Sequence, residues 1–396
     1  MRYKAVVVGL GPAGAAALKR LSELGVRAVG FDRRPQPERP AVCGEFLPEP
    51  EAISFISRKP SVAKAFSYVA MARRRNSVSR VVLEFAGGRV YNLPIPGFTI
   101  SRAELVEKLV GEAEHYTGED VVSVKKVGSE YVVRTRKGRE VSADYVIACD
   151  GYPSTVRKLV DREILLPEND VAVAANAKFH TPEMPKNIVY MLASPETPGG
   201  YAWIIPFEKD VSNVGVGVRL SSLREGGGSL KKFFSLFVNL NVHGYLSNVK
   251  QIEEMRARWV PVSGFYAEPA VERVLFAGDS LGAVNPINGG GIFPAMALGI
   301  LAAEAVWLEA PGAYSERAWS EIGSILDIGK QYRKLVDALY ANWSAVVKLS
   351  YLIPTSLMVK ILKGEKTGLY RALSLLGTSR RTKHLRREAP ASRKLP

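Results

Sequence analysis

The decapeptide AVVVGLGPAG, residues 5–14, joins an apolar run to three glycines and decides how the chain begins to fold. Residues 4–8 predict a short buried strand, and Gly9, Gly11 and Gly14 have the spacing of a tight turn that opens a helix. The first glycine permits the turn, the second lets a pyrophosphate approach the backbone, and the third lets helix and strand pack closely. The N-terminus of the helix favours the negative charge of a phosphate.

A second strand is predicted over residues 26–31, and Asp32 follows it at the position where ribose hydroxyls bind. This strand–helix–strand unit predicts a parallel sheet. The alternative is a glycine turn in an ordinary α/β protein, but strand, helix and acid together favour a dinucleotide site. The expected cofactor-binding residues in this part of the chain are Gly9, Gly11, Pro12, Ala13, Gly14, Asp32 and Arg33.

The predicted secondary structure of the remaining sequence changes along the chain. Residues 121–149 predict an antiparallel meander, residues 171–218 are rich in strands, and the chain after about residue 318 is mostly helical. We expect an α/β fold with an α+β second lobe: a Rossmann-type cofactor domain, an inserted antiparallel-sheet substrate domain and a helical C-terminal region. The expected limits are 1–60, 95–165 and 255–312 for the discontinuous cofactor domain, 61–94 and 166–254 for the substrate domain, and 313–396 for the helical region with its basic tail.

Composition excludes several classes of protein. With 396 residues, 47% of them hydrophobic, the chain is neither disordered nor fibrous. Two cysteines and four scattered histidines give no disulfide framework and no metal-ligand spacing, so no metal is expected. No stretch reaches the roughly 18 apolar residues of a membrane-spanning helix. A reducing, cytoplasmic location fits this cysteine usage best.

Charge points to an anionic partner. The formal net charge is +15, and the sequence from residue 355 onward contains eleven Lys or Arg residues but only two acidic residues. No basic stripe is interleaved with stacking aromatics, so nucleic acid is not an expected partner. Basic charge beside the apolar region 338–362 favours peripheral contact with anionic lipid on the inner face of the cell membrane. It would equally suit an acidic electron-donor protein.

Two further strand ends identify a family resemblance. ACDG at 148–151 and LFAGD at 275–279 each close a predicted strand, and a glycine-rich turn at 282–291 then leads into an apolar helix. With the N-terminal turn, this order resembles the flavoproteins that include p-hydroxybenzoate hydroxylases, flavin-dependent halogenases and geranylgeranyl reductases. The resemblance implies FAD as the cofactor, with Asp279 near its ribityl–pyrophosphate region and Arg102 near its phosphates. The family's aspartate four residues after the arginine is Val106 here. The further contacts that it implies are Cys43, Gly44, Val122, Asp150, Gly151, Gly278, Gly289, Gly290, Gly291 and Ile292.

Two segments narrow the chemistry. Cys43-Gly44-Glu45 resembles the Cys-Gly-Glu/Gly motif of archaeal geranylgeranyl reductases, which implies that Cys43 lies on the flavin side of a substrate cavity. YAWIIP at 201–206, followed by GVG at 215–217, resembles that family's Y-x-W-x-F-P…G-x-G pattern, with isoleucine for phenylalanine. It also approaches a halogenase pattern. The candidate catalytic residues are Cys43, Tyr201 and Trp203, and the alternative for all three is packing in a core. Cys149 is expected to be a packing residue.

The resemblance implies an enzyme that reduces isolated C=C bonds in geranylgeranyl chains of archaeal isoprenoid lipids or prenyl diphosphates. No second G-x-G-x-x-G follows a predicted strand, so the expected reductant is NAD(P)H that binds transiently or a reduced ferredoxin. Cys43 is a candidate proton donor. Two alternatives remain: an aromatic monooxygenase or halogenase of the same fold, and a redox-inactive flavin-binding or peripheral membrane protein.

Overall fold

The computed structural model describes residues 1–39, 41–225 and 228–371. The basic cluster expected near the C-terminus lies largely beyond residue 371, outside the described residues. The strands in the described part are β1 (Arg2–Val8), β2 (Ala28–Asp32), β3 (Phe46–Pro48), β4 (Arg74–Val78), β5 (Arg80–Phe85), β6 (Val90–Leu93), β7 (Gly97–Ile100), β8 (His115–Thr117), β9 (Val121–Val127), β10 (Glu130–Thr135), β11 (Glu140–Ala148), β12 (Val171–His180), β13 (Ile188–Ala193), β14 (Tyr201–Glu208), β15 (Val211–Arg219), β16 (Lys250–Gln251), β17 (Arg256–Pro261), β18 (Ala270–Val271) and β19 (Val274–Phe276). The α-helices are α1 (Pro12–Glu23), α2 (Ser54–Ser57), α3 (Pro60–Val69), α4 (Arg102–Val110), α5 (Thr155–Val160), α6 (Leu220–Glu225), α7 (Leu230–Leu240), α8 (Ile292–Trp307), α9 (Pro311–Ala318), α10 (Ser324–Tyr340), α11 (Trp343–Leu352) and α12 (Thr355–Lys363).

The first sheet has the order β18-β19-β11-β1-β2-β8, with β9 and β10 joined to it through β11. Strands β19, β11, β1, β2 and β8 are parallel, whereas β9–β10–β11 form the expected antiparallel meander. The last part of that meander, Glu140–Ala148, is the single long strand β11. Because these strands are parallel, their carboxyl ends meet at one edge of the sheet, where open α/β sheets bind ligands.

Helices α1 and α8 pack against each other unusually closely beside this sheet. Residues 13–17 of α1 are alanine and glycine, and all of them are buried. A Cβ placed on Gly299 of α8 would overlap the backbone carbonyl of Ala13. Small residues on both helices therefore bring the start of α8 next to the glycine turn that precedes α1.

The second sheet has the order β16-β12-β15-β14-β13-β5-β6, and β17 also pairs with β12. Its strands are antiparallel except for the parallel pair β5–β13. A third, three-stranded sheet has the order β3-β7-β4. The α/β fold with an inserted, mainly antiparallel second lobe and a helical C-terminal region is therefore confirmed.

The strand pairing suggests two adjustments to the expected domain limits. Strand β17 pairs with β12 over its whole length, so the second lobe extends to Pro261 rather than ending at residue 254. Helix α3 packs against α8 of the cofactor domain, so this helix belongs with the first lobe. Ser61 at its start also donates its hydroxyl to Glu321 of the C-terminal region, at 2.7 Å. The expected limits differ from these because the chain crosses between the lobes several times. We propose these limits in place of the expected ones.

The C-terminal helices close over both lobes. Arg219 on β15 forms an ion pair with Asp337 on α10 at 2.9 Å, and Tyr340 at the end of α10 donates to the carbonyl of Gly200 at 2.9 Å. Within the described residues, no single helix has the length and apolarity to cross a membrane. Helices α11 and α12 meet that criterion of length and composition only as a pair, and they are bent by 115°.

Candidate functional site

A cavity of about 990 Å³ opens at the carboxyl edge of the first sheet and is bounded on its far side by the second sheet. Nearly all the residues expected to bind cofactor or substrate line it, although they come from distant parts of the sequence. They are Gly9, Gly11, Pro12, Ala13, Asp32, Arg33, Cys43, Gly44, Arg102, Asp150, Gly151, Tyr201, Trp203, Gly278, Asp279, Gly289, Gly290, Gly291 and Ile292. The fold therefore brings the proposed cofactor and substrate residues to one cavity.

Two expected contacts, Gly14 and Val122, do not line the cavity. A Cβ on Gly14 would overlap the carbonyl of Gly9, so Gly14 serves the close packing of the turn and α1. Val122 is replaced in the lining by its neighbour Val121. Adjacent residues of a strand face opposite sides of the sheet, and Val121 has the inward position. Val122 stays a predicted contact, and Val121 is the residue of this strand that lines the cavity.

The other two glycines of the turn, Gly9 and Gly11, lack a side chain for different reasons. Gly9 has φ +89°, and a Cβ there would overlap the carbonyl of Cys149 on the neighbouring strand end. A Cβ on Gly11 would have one neighbour within 4 Å, the Oε1 of Glu38 at 3.3 Å. Gly9 is thus required by the backbone, whereas Gly11 leaves the surface bare for a group inside the cavity.

Asp32 is the last residue of β2, and both of its carboxylate oxygens accept hydrogen bonds from donors within the chain. Its two oxygens accept the backbone N–H of Leu10 and of Arg34, each at 2.8 Å, and the Nε and Nη2 of Arg34, each at 3.0 Å. Burial opposes ionisation, but Arg34 outweighs it and holds the pKa of Asp32 below its ordinary value. The expected residue, Arg33, lines the cavity, yet the guanidinium on Asp32 belongs to Arg34, which the sequence analysis missed.

Arg102 begins helix α4 and lines the same cavity. Its backbone N–H donates to Glu45 at 2.8 Å, and its guanidinium forms an ion pair with Glu38. Burial disfavours the charged guanidinium, but the carboxylate of Glu38 keeps the pKa of Arg102 above its ordinary value. Its Nε is buried and has no hydrogen-bond partner among the described residues.

The two later strand ends have different functions. Asp279 after β19 forms an ion pair with Arg258 of β17, Nη2 to Oδ2 at 3.3 Å, which links the two lobes across the cavity. Asp150 after β11 accepts from the Ser154 hydroxyl at 2.8 Å and from the N–H of Val156 at 2.9 Å, so it caps the start of α5. Burial raises the pKa of Asp150. The sequence did not predict the contact of Arg258 with Asp279, because Arg258 lies on a strand of the other lobe.

Cys43 is held against the aromatic strand β14 by a short chain of hydrogen bonds. The Trp203 indole N–H donates to Asn213 at 3.0 Å, and the side-chain amide of Asn213 donates to the carbonyl of Cys43 at 2.7 Å. The Cys43 Sγ accepts the backbone N–H of Glu45 at 3.3 Å. Asn213 was missed, although it alternates with Gly215 and Gly217 and therefore shares their face of β15.

Asn288 joins the glycine-rich turn to two other elements. Its backbone carbonyl accepts the Tyr201 hydroxyl at 2.5 Å, its Oδ1 accepts the N–H of Gly290 at 2.7 Å, and its Nδ2 donates to the carbonyl of Leu362 at 2.8 Å. Burial and the nearby Cys43 raise the pKa of Tyr201, so its hydroxyl remains protonated. The turn at 289–291 is thereby fixed at the N-terminus of α8.

Away from these polar groups the cavity wall is apolar. It is formed by residues of the β2–β5 region, the second sheet, the glycine-rich turn and the C-terminal helices. These include Phe46, Leu47, Ile53, Ile56, Val81, Ile95, Val189, Met191, Ile205, Ile287, Phe293, Leu326, Val336 and Leu362. A polar, glycine-lined region and an extended apolar region thus share one cavity, with Cys43, Tyr201 and Trp203 also in its wall.

A family model described as an FAD binding domain matches residues 67–299, more than half of the chain. The chain belongs to the FAD-binding domain family. FAD is its cofactor, and the protein is an FAD-dependent oxidoreductase. The expected resemblance to flavoproteins of the p-hydroxybenzoate hydroxylase type is confirmed by the matching folds described next.

Several proteins named digeranylgeranylglycerophospholipid reductase are distant relatives of this FAD-binding domain protein. The protein from Methanothrix thermoacetophila is 29% identical over 359 residues, which cover 85% of this chain and 86% of the relative. The protein from Thermoplasma volcanium is 26% identical, with 88% of each chain covered. Homology to these archaeal proteins therefore extends over most of the chain.

Solved structures show the same fold. A geranylgeranyl bacteriochlorophyll reductase-like protein from Thermoplasma acidophilum superposes with a TM-score of 0.78 at 20% identity, covering 95% of this chain and 99% of that one. A flavin-dependent brominase superposes with a TM-score of 0.69 at 15% identity, covering 98% and 100%. At such sequence identities the structural similarity establishes the fold but not the reaction.

The site residues fit FAD. The bare surface at Gly11 and the N-terminus of α1 suit its diphosphate, and Arg102 has an unpaired, buried Nε in the same wall. Glu119 Oε2 and Asn176 Oδ1, on other cavity residues, are likewise buried without a partner among the described residues. A polar cofactor is the kind of group that satisfies such atoms.

Proposed function

We propose that this FAD-dependent oxidoreductase saturates isolated C=C bonds in geranylgeranyl chains, either of archaeal isoprenoid lipids or of prenyl diphosphates. The observation that carries the proposal is the continuity of the cavity. One volume contains the polar cofactor region and a long apolar wall, so an oily chain fits beside the flavin without a separate pocket. The names of the distant archaeal relatives support this substrate class.

The chemistry of an isolated alkene defines what the protein must supply. When bound and reduced, FAD supplies a hydride to one alkene carbon. The alkene has no neighbouring carbonyl to accept charge, so a proton must reach the other carbon before or together with the hydride. The apolar wall keeps water from the site during this step.

Cys43, Tyr201 and Trp203 are the proposed catalytic residues. The rings of Tyr201 and Trp203 are 5.9 Å apart and both line the cavity, so their faces can stabilise positive charge on a tertiary carbon. The Cys43 thiol, beside them in the wall, is the proposed proton source. Because its carbonyl is tied to Asn213, the position of Cys43 depends on Trp203 as well.

Membrane contact is proposed at the corner between α11 and α12. Tyr351 and Leu352 are 60% and 75% exposed there, and Lys348 and Lys360 are exposed on the same pair of helices. Apolar side chains flanked by lysines suit a surface of anionic lipid. Leu362 and Lys363 of α12 also line the cavity, so this corner adjoins the proposed substrate site. The electron donor, NAD(P)H or a reduced ferredoxin, stays a prediction.

The test is a product analysis without oxygen. The FAD-loaded protein is reduced chemically and mixed with geranylgeranyl diphosphate and, separately, with a digeranylgeranylglyceryl phospholipid. The proposal expects products heavier by two hydrogen atoms for each double bond reduced. A parallel assay supplies oxygen and an aromatic compound. Hydroxylation or halogenation of that compound, with neither prenyl substrate altered in the oxygen-free assay, would instead identify a monooxygenase or halogenase. No change in any substrate would leave a redox-inactive flavin protein and overturn the proposal.

A further inference from the structure

The mouth of the glycine turn is occupied by an acidic side chain of the protein itself. Glu38 lies in the loop between β2 and β3, and it is only 2% exposed. Its Oε1 is the atom that a Cβ on Gly11 would meet, at 3.3 Å. Its φ is +60°, in the left-handed region that glutamate seldom adopts, so its contacts must hold it there.

Those contacts are guanidinium groups, which are donors suited to a phosphate. Glu38 accepts Nη1 of Arg34 at 2.9 Å and forms an ion pair with Nη2 of Arg102. Burial opposes ionisation of Glu38, but Arg102, Arg34 and Arg258 hold the pKa of its carboxyl below the ordinary value. The side chain is therefore an anion, held by guanidinium groups at the N-terminus of α1.

A diphosphate bound at the same turn requires the same donors. Gly11 would lie beneath it, and Arg102 is the cavity arginine that the family resemblance assigns to it. A carboxylate and a diphosphate within a few ångströms repel each other strongly in a buried site. Glu38 already takes Nη2 of Arg102 and its Oε1 stands over Gly11, so an incoming diphosphate would meet this carboxylate at both places.

We propose that the Glu38 carboxylate competes with the FAD diphosphate for Arg102 and the glycine turn. Diphosphate binding displaces Glu38, releases its backbone from the left-handed conformation and moves the β2–β3 loop. Glu38 thereby sets the affinity for FAD and keeps Arg102 in place for it. This inference concerns the cofactor and does not depend on the proposed substrate.

The test compares Glu38→Gln with wild type, both freed of FAD, by titration with FAD and with ADP, which carries the adenosine and the diphosphate. Glutamine keeps the shape and removes the charge, so both ligands should bind at least about tenfold more tightly. The control is Glu107→Gln. Glu107 is 69% exposed on α4 and forms an ion pair at 2.9 Å with Arg39, the residue after Glu38, so this variant removes a neighbouring ion pair at the surface. That variant should bind both ligands as wild type does.

Two outcomes would overturn the inference. Weaker binding by Glu38→Gln would make Glu38 a ligand of the cofactor, for instance through a ribose hydroxyl, and unchanged binding would place it outside the phosphate site. If the variant does not fold, hydrogen exchange on the wild-type protein decides. Adding FAD should protect the amides of the Gly9–Gly14 turn while those of residues 34–39 exchange faster. Protection of both segments would contradict displacement.

Discussion

The indole of Trp203 lies directly over the backbone of Gly215 on the neighbouring strand, so that a Cβ on Gly215 would overlap its six-membered ring. The carbonyl of Ala175 closes the other side of this position. The register of the sheet pairs Trp203 with Gly215, which explains why a glycine-x-glycine pattern follows the aromatic strand at this distance.

Gly215→Ala should therefore displace the indole and lower the free energy of unfolding by about 2 kcal/mol. Because Trp203 holds Asn213 and, through it, Cys43, alkene reduction should fall as well. Gly217→Ala is the matched control, since a Cβ there would meet Trp203 at an ordinary 3.8 Å. Denaturant unfolding of the two variants measures the difference, and equal stability would show that Trp203 can shift without cost.

Gly11→Leu should yield colourless protein. A leucine would fill the space above the glycine turn, which Glu38 alone approaches among the described residues, and so block the diphosphate of FAD. The visible flavin absorbance per mole of purified protein measures this. Gly312→Ala, at a position with no atom within 4 Å of the new Cβ, should stay yellow. A yellow Gly11→Leu protein would show that the turn does not hold the cofactor.

Cys43→Ser should slow the oxidation of reduced flavin by a prenyl substrate by about 100-fold or more, the usual effect of losing a general acid. Its FAD content and stability should match wild type, since serine can still accept the N–H of Glu45. Single-turnover mixing without oxygen gives the rate. A fall of less than about tenfold would assign Cys43 a positioning function.

Cys149→Ser is the control for that experiment. Cys149, just after β11, packs against the apolar core formed by the first sheet, α1 and α8. Burial raises the pKa of its thiol, so the thiol is neutral. Placing a hydroxyl there should cost about 1–2 kcal/mol of stability. The single-turnover rate should remain that of wild type.

The Glu38 ion pairs should make stability depend on pH. The pKa of Glu38 lies below its ordinary value of 4.5 in the folded protein, so its contribution is present above that value and is lost as the pH falls through the native pKa. Glu38→Gln leaves Arg102 buried without its partner, which should cost about 3 kcal/mol at pH 7. Urea unfolding of FAD-free protein should show this difference shrinking below pH about 4. A difference that is independent of pH would contradict the pairing.

Leu352→Asp should weaken sedimentation with vesicles of anionic lipid by several-fold, because it replaces an exposed apolar side chain at the α11–α12 corner with a negative charge. Leu240→Asp is the control, since Leu240 is 62% exposed on another helix, α7. Raising the salt concentration should weaken binding of the wild type. Equal losses in the two variants would show that the corner has no special part in membrane contact.

The sequence was sufficient for the fold because its strongest signals are local. The Gly9–Gly14 turn, Asp32 and the two later strand ends each follow a strand directly, and parallel strands bring such ends together without further information. Arg34, Glu38, Arg258 and Asn213 could not be found in this way. Their partners are set by side-chain reach and by pairing between lobes, as when β17 carries Arg258 to Asp279.

Asn288 has a consequence for engineering the space inside the cavity. Its contact with α12 is made to the backbone carbonyl of Leu362, and its contact with the glycine-rich turn is made to a backbone N–H. Neither partner depends on which side chain it carries. The Leu362 side chain, which faces the cavity, can therefore be randomised to lengthen or shorten the space for an oily chain, provided that the helix itself continues to position 362. The backbone carbonyl of Leu362 thus holds the glycine-rich turn, whereas its side chain sets the space in the cavity.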